Sequence, residues 1–175
     1  ETVSAMKLEA TRRIGAEVIL KGEVGDDALD HAFKLAKDRD ILFIHPHKTE
    51  SFLDGNATIA REIMEQNPEV KQIFIPIGGG GLASGICRHI RDSGISVAPI
   101  GVEAEKAPAF YQSFKKGRPV RLETMETIAD ALTLMEPDPD VFADLHQNLE
   151  KVVTVSEKDI IRTMKILYDE FRVIT

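Results

Sequence analysis

Four glycines in succession, Gly78, Gly79, Gly80 and Gly81, stand in the stretch FIPIGGGGLASGI, between an apolar run and a run with helical spacing. Glycine loses more backbone freedom on folding than any other residue, so ordering four of them requires a reason. A strand followed by glycines and a helix N-terminus supplies one. Successive amide N–H groups point into one concavity, the helix dipole adds about half a positive charge, and no β-carbon keeps an anion away. The loop also lies at the carboxyl end of its strand, where ligands bind in parallel α/β sheets. A phosphate group is the expected ligand, and a ligand-free tight turn is the alternative. No Gly-Lys-Ser/Thr follows, as a Walker loop requires, and the spacing departs from the G-x-G-x-x-G dinucleotide fingerprint.

Other reactive side chains are fewer. His45 and His47 flank a proline in HPH; His45 reads as a hydrogen bonder at a strand end, and His47 as a surface loop residue. His31, His89 and His146 fall on polar helical faces. Cys87 follows the glycines on a face that points to a core, which favours a packed thiol over a reactive one. Glu103 and Asp130 are carboxylates placed to shape the site, with a cap or ion-pair role the alternative for Asp130. The lysines fall on polar helical faces or loops, and only Lys48, just past HPH, merits consideration as a reactive amine.

Regularly alternating elements must position these groups. Residues 16–20 (AEVIL), 41–44 (ILFI), 72–77, 96–102 and 152–155 read as strands. Helical spacing covers 26–37, 56–66 with Ile59, Ile63 and Met64 on its apolar face, 82–91, 108–115, and the run after Ser156. Strands alternating with helices predict βαβ units and a mainly parallel sheet covered on both faces. Residues 117–140, rich in Pro, Glu and Asp, predict an irregular connection around one short helix.

Composition narrows the class. The 175 residues suffice for one domain or a domain with a small appendage, and 43% of them are hydrophobic, enough for a packed core. A formal charge of −7 disfavours nucleic acid, and one cysteine suits a reducing compartment. No apolar stretch approaches the roughly 20 residues of a membrane span. A cytoplasmic protein without nucleic-acid or membrane partners is the expectation. The chain opens on Glu1 and closes on the apolar FRVIT, which suggests either a trimmed chain or part of a longer polypeptide.

The sequence from Pro76 through Leu82, with ASGI behind it, resembles the phosphate loop of fold-type-II pyridoxal-phosphate enzymes, in particular the threonine/serine dehydratase and serine racemase branch. KLEATRRIGAEVIL resembles the helix and strand that close the small domain of those enzymes. FIHP resembles the crossing into the large domain, and GNATIAREI is similar to the family's G-x-G-T-I-A-x-E-I helix. Gly101-Val102-Glu103, Thr127-Ile128-Ala129-Asp130 and VTVSEKD match three further landmarks in order and spacing. The resemblance implies a three-layer αβα fold of the tryptophan synthase beta-like kind, incomplete here, with residues 1–40 ending the small domain and 41–175 forming most of the large one.

It also implies pyridoxal 5'-phosphate as cofactor, with Gly78, Gly79, Gly80, Gly81 and Leu82 on its phosphate and His47 and Ala131 beside its ring. His47 stands where dehydratases often carry Phe and racemases a polar residue. The Schiff-base lysine is expected upstream of this chain, so no catalytic residue is assigned within it and the isolated chain is expected to be inactive. The implied reaction is loss of water from threonine or serine to give a 2-oxo acid and ammonia, as in amino-acid metabolism and isoleucine biosynthesis. Serine racemisation and a non-catalytic phosphate-binding role are the alternatives, and a homo-oligomer is possible. Three departures stand out: Ala57 replaces the second glycine of G-x-G-T, and Ala131 replaces the glycine of T-I-A-D-G. Metal-binding members use the counterpart of Glu103, the carbonyl at Ala107 and an aspartate where this chain has Ala109, so a metal site would fall to Glu103 and Ala107, with Glu105 as a substitute donor.

Overall fold

Short apolar runs separated by amphipathic segments bury their faces against one another, and in a computed structural model describing residues 4–22, 25–45 and 47–175 they do so in two units, Glu1–Ile44 and His45–Thr175.

The first unit holds α1 (Ala5–Arg13) and α2 (Gly25–Asp38). Residues 16–20 and 41–44, expected as strands, run through it without regular pairing among the described residues. A strand exists only through its ladder, and these two segments find no partner there. Their apolar side chains stay open accordingly, Leu42 at 84% exposure. What fixes this unit locally is the Arg39 guanidinium on the Glu17 carboxylate at 2.8 Å and the edge-on contact of Phe33 with Phe43.

The second unit starts with α3 (Glu50–Gln66), followed by β1 (Gln72–Pro76), α4 (Gly81–Ser93), β2 (Ala98–Ala104) and α5 (Ala109–Lys116). After a long connection with one 3-10 turn (Asp130–Leu132) come α6 (Pro139–Asn148), β3 (Lys151–Val155) and α7 (Glu157–Phe171). The strands form a parallel sheet in the order β1-β2-β3, with Phe74 opposite Ile100 and Val102 opposite Val153. Ile73, Ile75 and Ile77 drive the core against Ala83, Ile86, Cys87 and Ile90 of α4 and Val141, Phe142 and Leu145 of α6.

Four sequence expectations change. The α3 helix begins at Glu50, behind the N-cap Thr49, and runs straight through Gly55. Ala60 is its fully buried residue, Ile63 and Met64 pack against the core as expected, and Ile59 is 40% exposed. The small Ala60 suits the close approach of α3 to α4, where a β-carbon on Gly85 would stand 2.5 Å from Asn56 Cβ and 2.7 Å from the Leu53 carbonyl oxygen. Coverage of the sheet is partial: β2 is buried along most of its length, while Phe74 on β1 is 61% exposed and no residue of α7 is fully buried. Finally α6 fills Pro139–Asn148, almost all of it past the irregular tract at 117–140, where the sequence pattern predicts a helical face only at His146. Asp138 caps it, accepting from the backbone N–H of Asp140 and of Val141, with Pro139 at the first helical position. No helix among the described residues is long and apolar enough to cross a membrane.

Candidate phosphate and cofactor site

Parallel pairing puts the carboxyl ends of β1 and β2 side by side, so the glycine loop and Glu103 emerge at the same edge of the sheet. Three of the glycines are needed for three different reasons. A β-carbon on Gly78 would lie 3.0 Å from the Cα of Leu132 and 3.2 Å from the Ala131 carbonyl oxygen. On Gly79 it would overlap the imidazole of His47. Gly80 has φ +94°, a left-handed conformation that L side chains rarely adopt, and a β-carbon there would stand 2.6 Å from Val141 Cγ1. The loop is thus walled by the strap at residues 131–132, by His47 and by the first turn of α6. The crowding atoms belong to the protein itself, which local sequence could not reveal.

What the loop offers is a row of donors. Gly80 is the N-cap of α4 and no side chain caps that helix. Among the described residues, the amides of Gly78, Gly79, Gly80, Gly81 and Leu82 donate to no protein acceptor, although Ser84 N–H closes on the Gly80 carbonyl at 2.8 Å. The Ser84 hydroxyl, one turn into the helix, is buried and without a hydrogen-bond partner. Unpaired amides at a helix start in a glycine cradle fit a dianionic phosphate by charge and by donor geometry.

His47 reaches the loop through a tight turn. Its backbone N–H donates to Nδ1 of His45 at 3.1 Å, and the His45 N–H donates to Thr49 Oγ1 at 2.7 Å. Burial, and next the nearby Lys48 ammonium, push the His45 pKa down, with Asp138 opposing. His45 therefore acts as a neutral acceptor that shapes the turn. Pro46 lies outside the described residues. Lys48 places its Nζ 2.5 Å from Asp138 Oδ2 and 3.3 Å from Asp140 Oδ2. The hydrogen bond to Asp138 raises its pKa, the opposite of what a nucleophilic amine requires.

Ala131 lies in the strap, which is pinned by Ile128 N–H donating to Glu157 Oε2 at 3.0 Å and by Leu132 N–H donating to the Ala129 carbonyl. Glu103 is 2% exposed and turns into the start of α5, its Oε1 accepting from Phe110 N–H at 2.9 Å and its Oε2 from Tyr111 N–H at 2.7 Å. Burial pushes its pKa up to about 7 against the pull of those two amides. Ala107 is buried close by, its N–H on the Ala104 carbonyl, while Glu105 is exposed. One carboxylate already engaged by two amides is a poor donor set for a hard cation, and no group of three or more His, Cys, Asp or Glu gathers as a metal site among the described residues. No step is carried through a metal. Cys87 is a packed core thiol, His89 meets the Ser93 hydroxyl, and His146 meets the rings of Phe114 and Phe142 at tilted angles. Neither Asp138 nor Val141 was marked by sequence. Only the D-P-D run, a capping signal, pointed there.

Known proteins resemble this chain in sequence and in fold. A family model described as "Pyridoxal-phosphate dependent enzyme" matches residues 1–175. The chain is 33% identical over 168 residues to an L-threonine ammonia-lyase of Thermotoga maritima, covering 96% of this chain and 42% of that protein. It is 36% identical over 160 residues to an L-threonine ammonia-lyase of Geobacter sulfurreducens, covering 91% and 40%. Among solved structures, maize serine racemase superposes with a TM-score of 0.89 at 25% identity, over 98% of this chain and 52% of that one. The processed form of threonine deaminase isoform 2 from Solanum lycopersicum superposes at 0.87 with 31% identity, over 99% and 48%. The chain therefore spans about two fifths of the length of these curated relatives. A match that runs from the first residue to the last makes this chain a member of the pyridoxal-phosphate dependent enzymes.

Proposed function

We propose that this chain is the phosphate-binding part of an ammonia-lyase that removes water from threonine or serine, giving a 2-oxo acid and ammonia. The row of unpaired amides at Gly78, Gly79, Gly80, Gly81 and Leu82 carries the reading, and the relatives named L-threonine ammonia-lyase direct it to this reaction. Pyridoxal phosphate, when bound, supplies an electron sink for reaction at the substrate α-carbon. The residues of this chain have binding and orienting roles: the loop amides hold the phosphate, His47 borders the loop from one side, and the strap at Ala131 borders it from another. Residues 1–40 are read as the end of a small domain and residues 41–175 as most of a large one. The single buried Cys87 is compatible with a cytoplasmic setting.

The test uses the full-length protein that carries this chain, loaded with pyridoxal phosphate and supplied with L-threonine or L-serine. Formation of the corresponding 2-oxo acid is expected. Serine racemisation is the second reading, favoured by the superposition on maize serine racemase. D-serine accumulating without 2-oxo acid would establish it and overturn the first. Failure to bind the cofactor would overturn both.

A further inference from the structure

The Lys48 ion pair joins two segments that meet the glycine loop at adjacent positions. On one side, His47 sets its imidazole on Gly79. On the other, Asp138 starts α6, whose Val141 stands against Gly80. Lys48 follows His47 directly, and its Nζ lies 2.5 Å from Asp138 Oδ2, with Asp140 Oδ2 at 3.3 Å. The contacts close a ring that runs from Gly79 through His47, Lys48, Asp138 and Val141 back to Gly80. The two segments are 92 residues apart in sequence between Lys48 and Asp140, so no local hydrogen bond can replace the link.

We infer that Lys48 is a positioning residue for the phosphate cradle: through Asp138 it holds the His47 turn and the start of α6 together on either side of the loop. This rests on the proposed role of the loop in binding the cofactor phosphate. Two features support it. Asp138 Oδ1 is already committed to the α6 amides, so Lys48 on Oδ2 engages a carboxylate whose place is fixed. The loop also has no side chains of its own with which to hold its shape, so walls must hold it instead. Lys48 acts here as a donor in an ion pair.

The test compares Lys48→Met, Lys48→Arg and, as a control, Lys165→Met, which breaks an exposed pair with Asp169 within α7. All three are made in the full-length protein. The first readout, without any phosphate ligand, is hydrogen exchange at the hydrogen-bonded amides of the loop and its wall, Ser84 on the Gly80 carbonyl and Asp140 and Val141 on Asp138. Lys48→Met is expected to speed exchange there about two- to five-fold, the range open to a partly exposed pair. Lys48→Arg is expected to restore protection, and Lys165→Met to change nothing. The second readout is the dissociation constant for pyridoxal phosphate, and for inorganic phosphate in competition, which should weaken by a similar factor in Lys48→Met alone. A long-range charge effect would weaken binding and leave exchange untouched, and that result would overturn the inference. Unchanged exchange and affinity in Lys48→Met would overturn it too. If the wild-type protein binds no pyridoxal phosphate, the functional reading fails, while the exchange comparison still decides whether Lys48 braces the loop.

Discussion

The imidazole of His47 occupies the space that a β-carbon on Gly79 would need. A histidine ring is the far end of a side chain with two torsions, so a methyl group at position 79 displaces the ring more readily than the backbone. Gly79→Ala in the full-length protein is therefore expected to fold with a melting temperature within a few degrees of wild type. One of the loop's walls is lost, and affinity for pyridoxal phosphate should fall about ten-fold, roughly 1.4 kcal/mol. Absorbance titration of the cofactor measures this. Adding His47→Ala should change affinity little further, because both substitutions remove the same wall. Wild-type affinity in Gly79→Ala would show that the wall is irrelevant to binding.

Gly80 fails differently. Its φ of +94° is strained for any L side chain, and Val141 Cγ1 blocks the place of a β-carbon. The backbone strain alone costs about 1–3 kcal/mol. Gly80→Ala should lower stability by about 2 kcal/mol or more in urea denaturation, and pairing it with Val141→Ala should not restore the loss. Full recovery in the double variant would place the whole cost in the side-chain clash.

Much of this arrangement was legible in the sequence, because local chemistry dictates it. The FIPIGGGG run announces a strand meeting a glycine loop, and Ser156 at the start of α7 caps as its type predicts, accepting from Asp159 N–H. The two segments at 16–20 and 41–44 misled because a β-rich composition states only that a residue suits a ladder, and the ladder partner must come from elsewhere in the chain. The length of α3 was missed because Gly55 reads as a break, yet an exposed glycine costs only about 1 kcal/mol against alanine, which the rest of the helix offsets. Long-range contacts left no local trace at all. That His47 packs on Gly79, that Lys48 reaches Asp138 and that Ala131 passes over Gly78 depend on how distant segments cross. The sequence suggested glycines cleared for a ligand, and in the folded chain the clearance at Gly78, Gly79 and Gly80 accommodates the protein's own neighbouring segments.

Cys87 gives a third expectation. It is buried in the core behind the loop, and burial first, then the Asp144 carboxylate, push its pKa up to about 12, with Arg91 opposing. The thiolate is the reactive form, so at pH 8 the folded protein presents almost none of it. Alkylation by iodoacetamide should be at least about 100-fold slower in the folded protein than in urea, given a pKa near 8.5 in the unfolded chain. Rapid modification of folded protein, followed by peptide mapping to Cys87, would contradict the burial.

Glu103 predicts how stability responds to pH. Its carboxyl has an ordinary value of 4.5 and is pushed up to about 7 by burial, against the two amide bonds from Phe110 and Tyr111. Between those values the folded chain binds a proton that the unfolded chain has released. Stability from this group is therefore fully present below about pH 4.5 and is lost as pH rises through 7, a difference on the order of 3 kcal/mol. The direction is opposite to that of a carboxylate in a salt bridge, which stabilises at neutral pH and loses its effect in acid. Glu103→Gln removes the titration while retaining a carbonyl oxygen for one of the two amides. Urea denaturation of both proteins at pH 5, 6, 7 and 8 isolates the effect as a difference, because other titrating groups contribute equally to each. The wild type should gain stability relative to Glu103→Gln as pH falls from 8 to 5, most steeply midway between the two values, at about pH 5 to 6.5. A difference that is flat with pH, or that grows toward pH 8, would mean that the α5 amides outweigh burial and keep Glu103 ionised in the folded state.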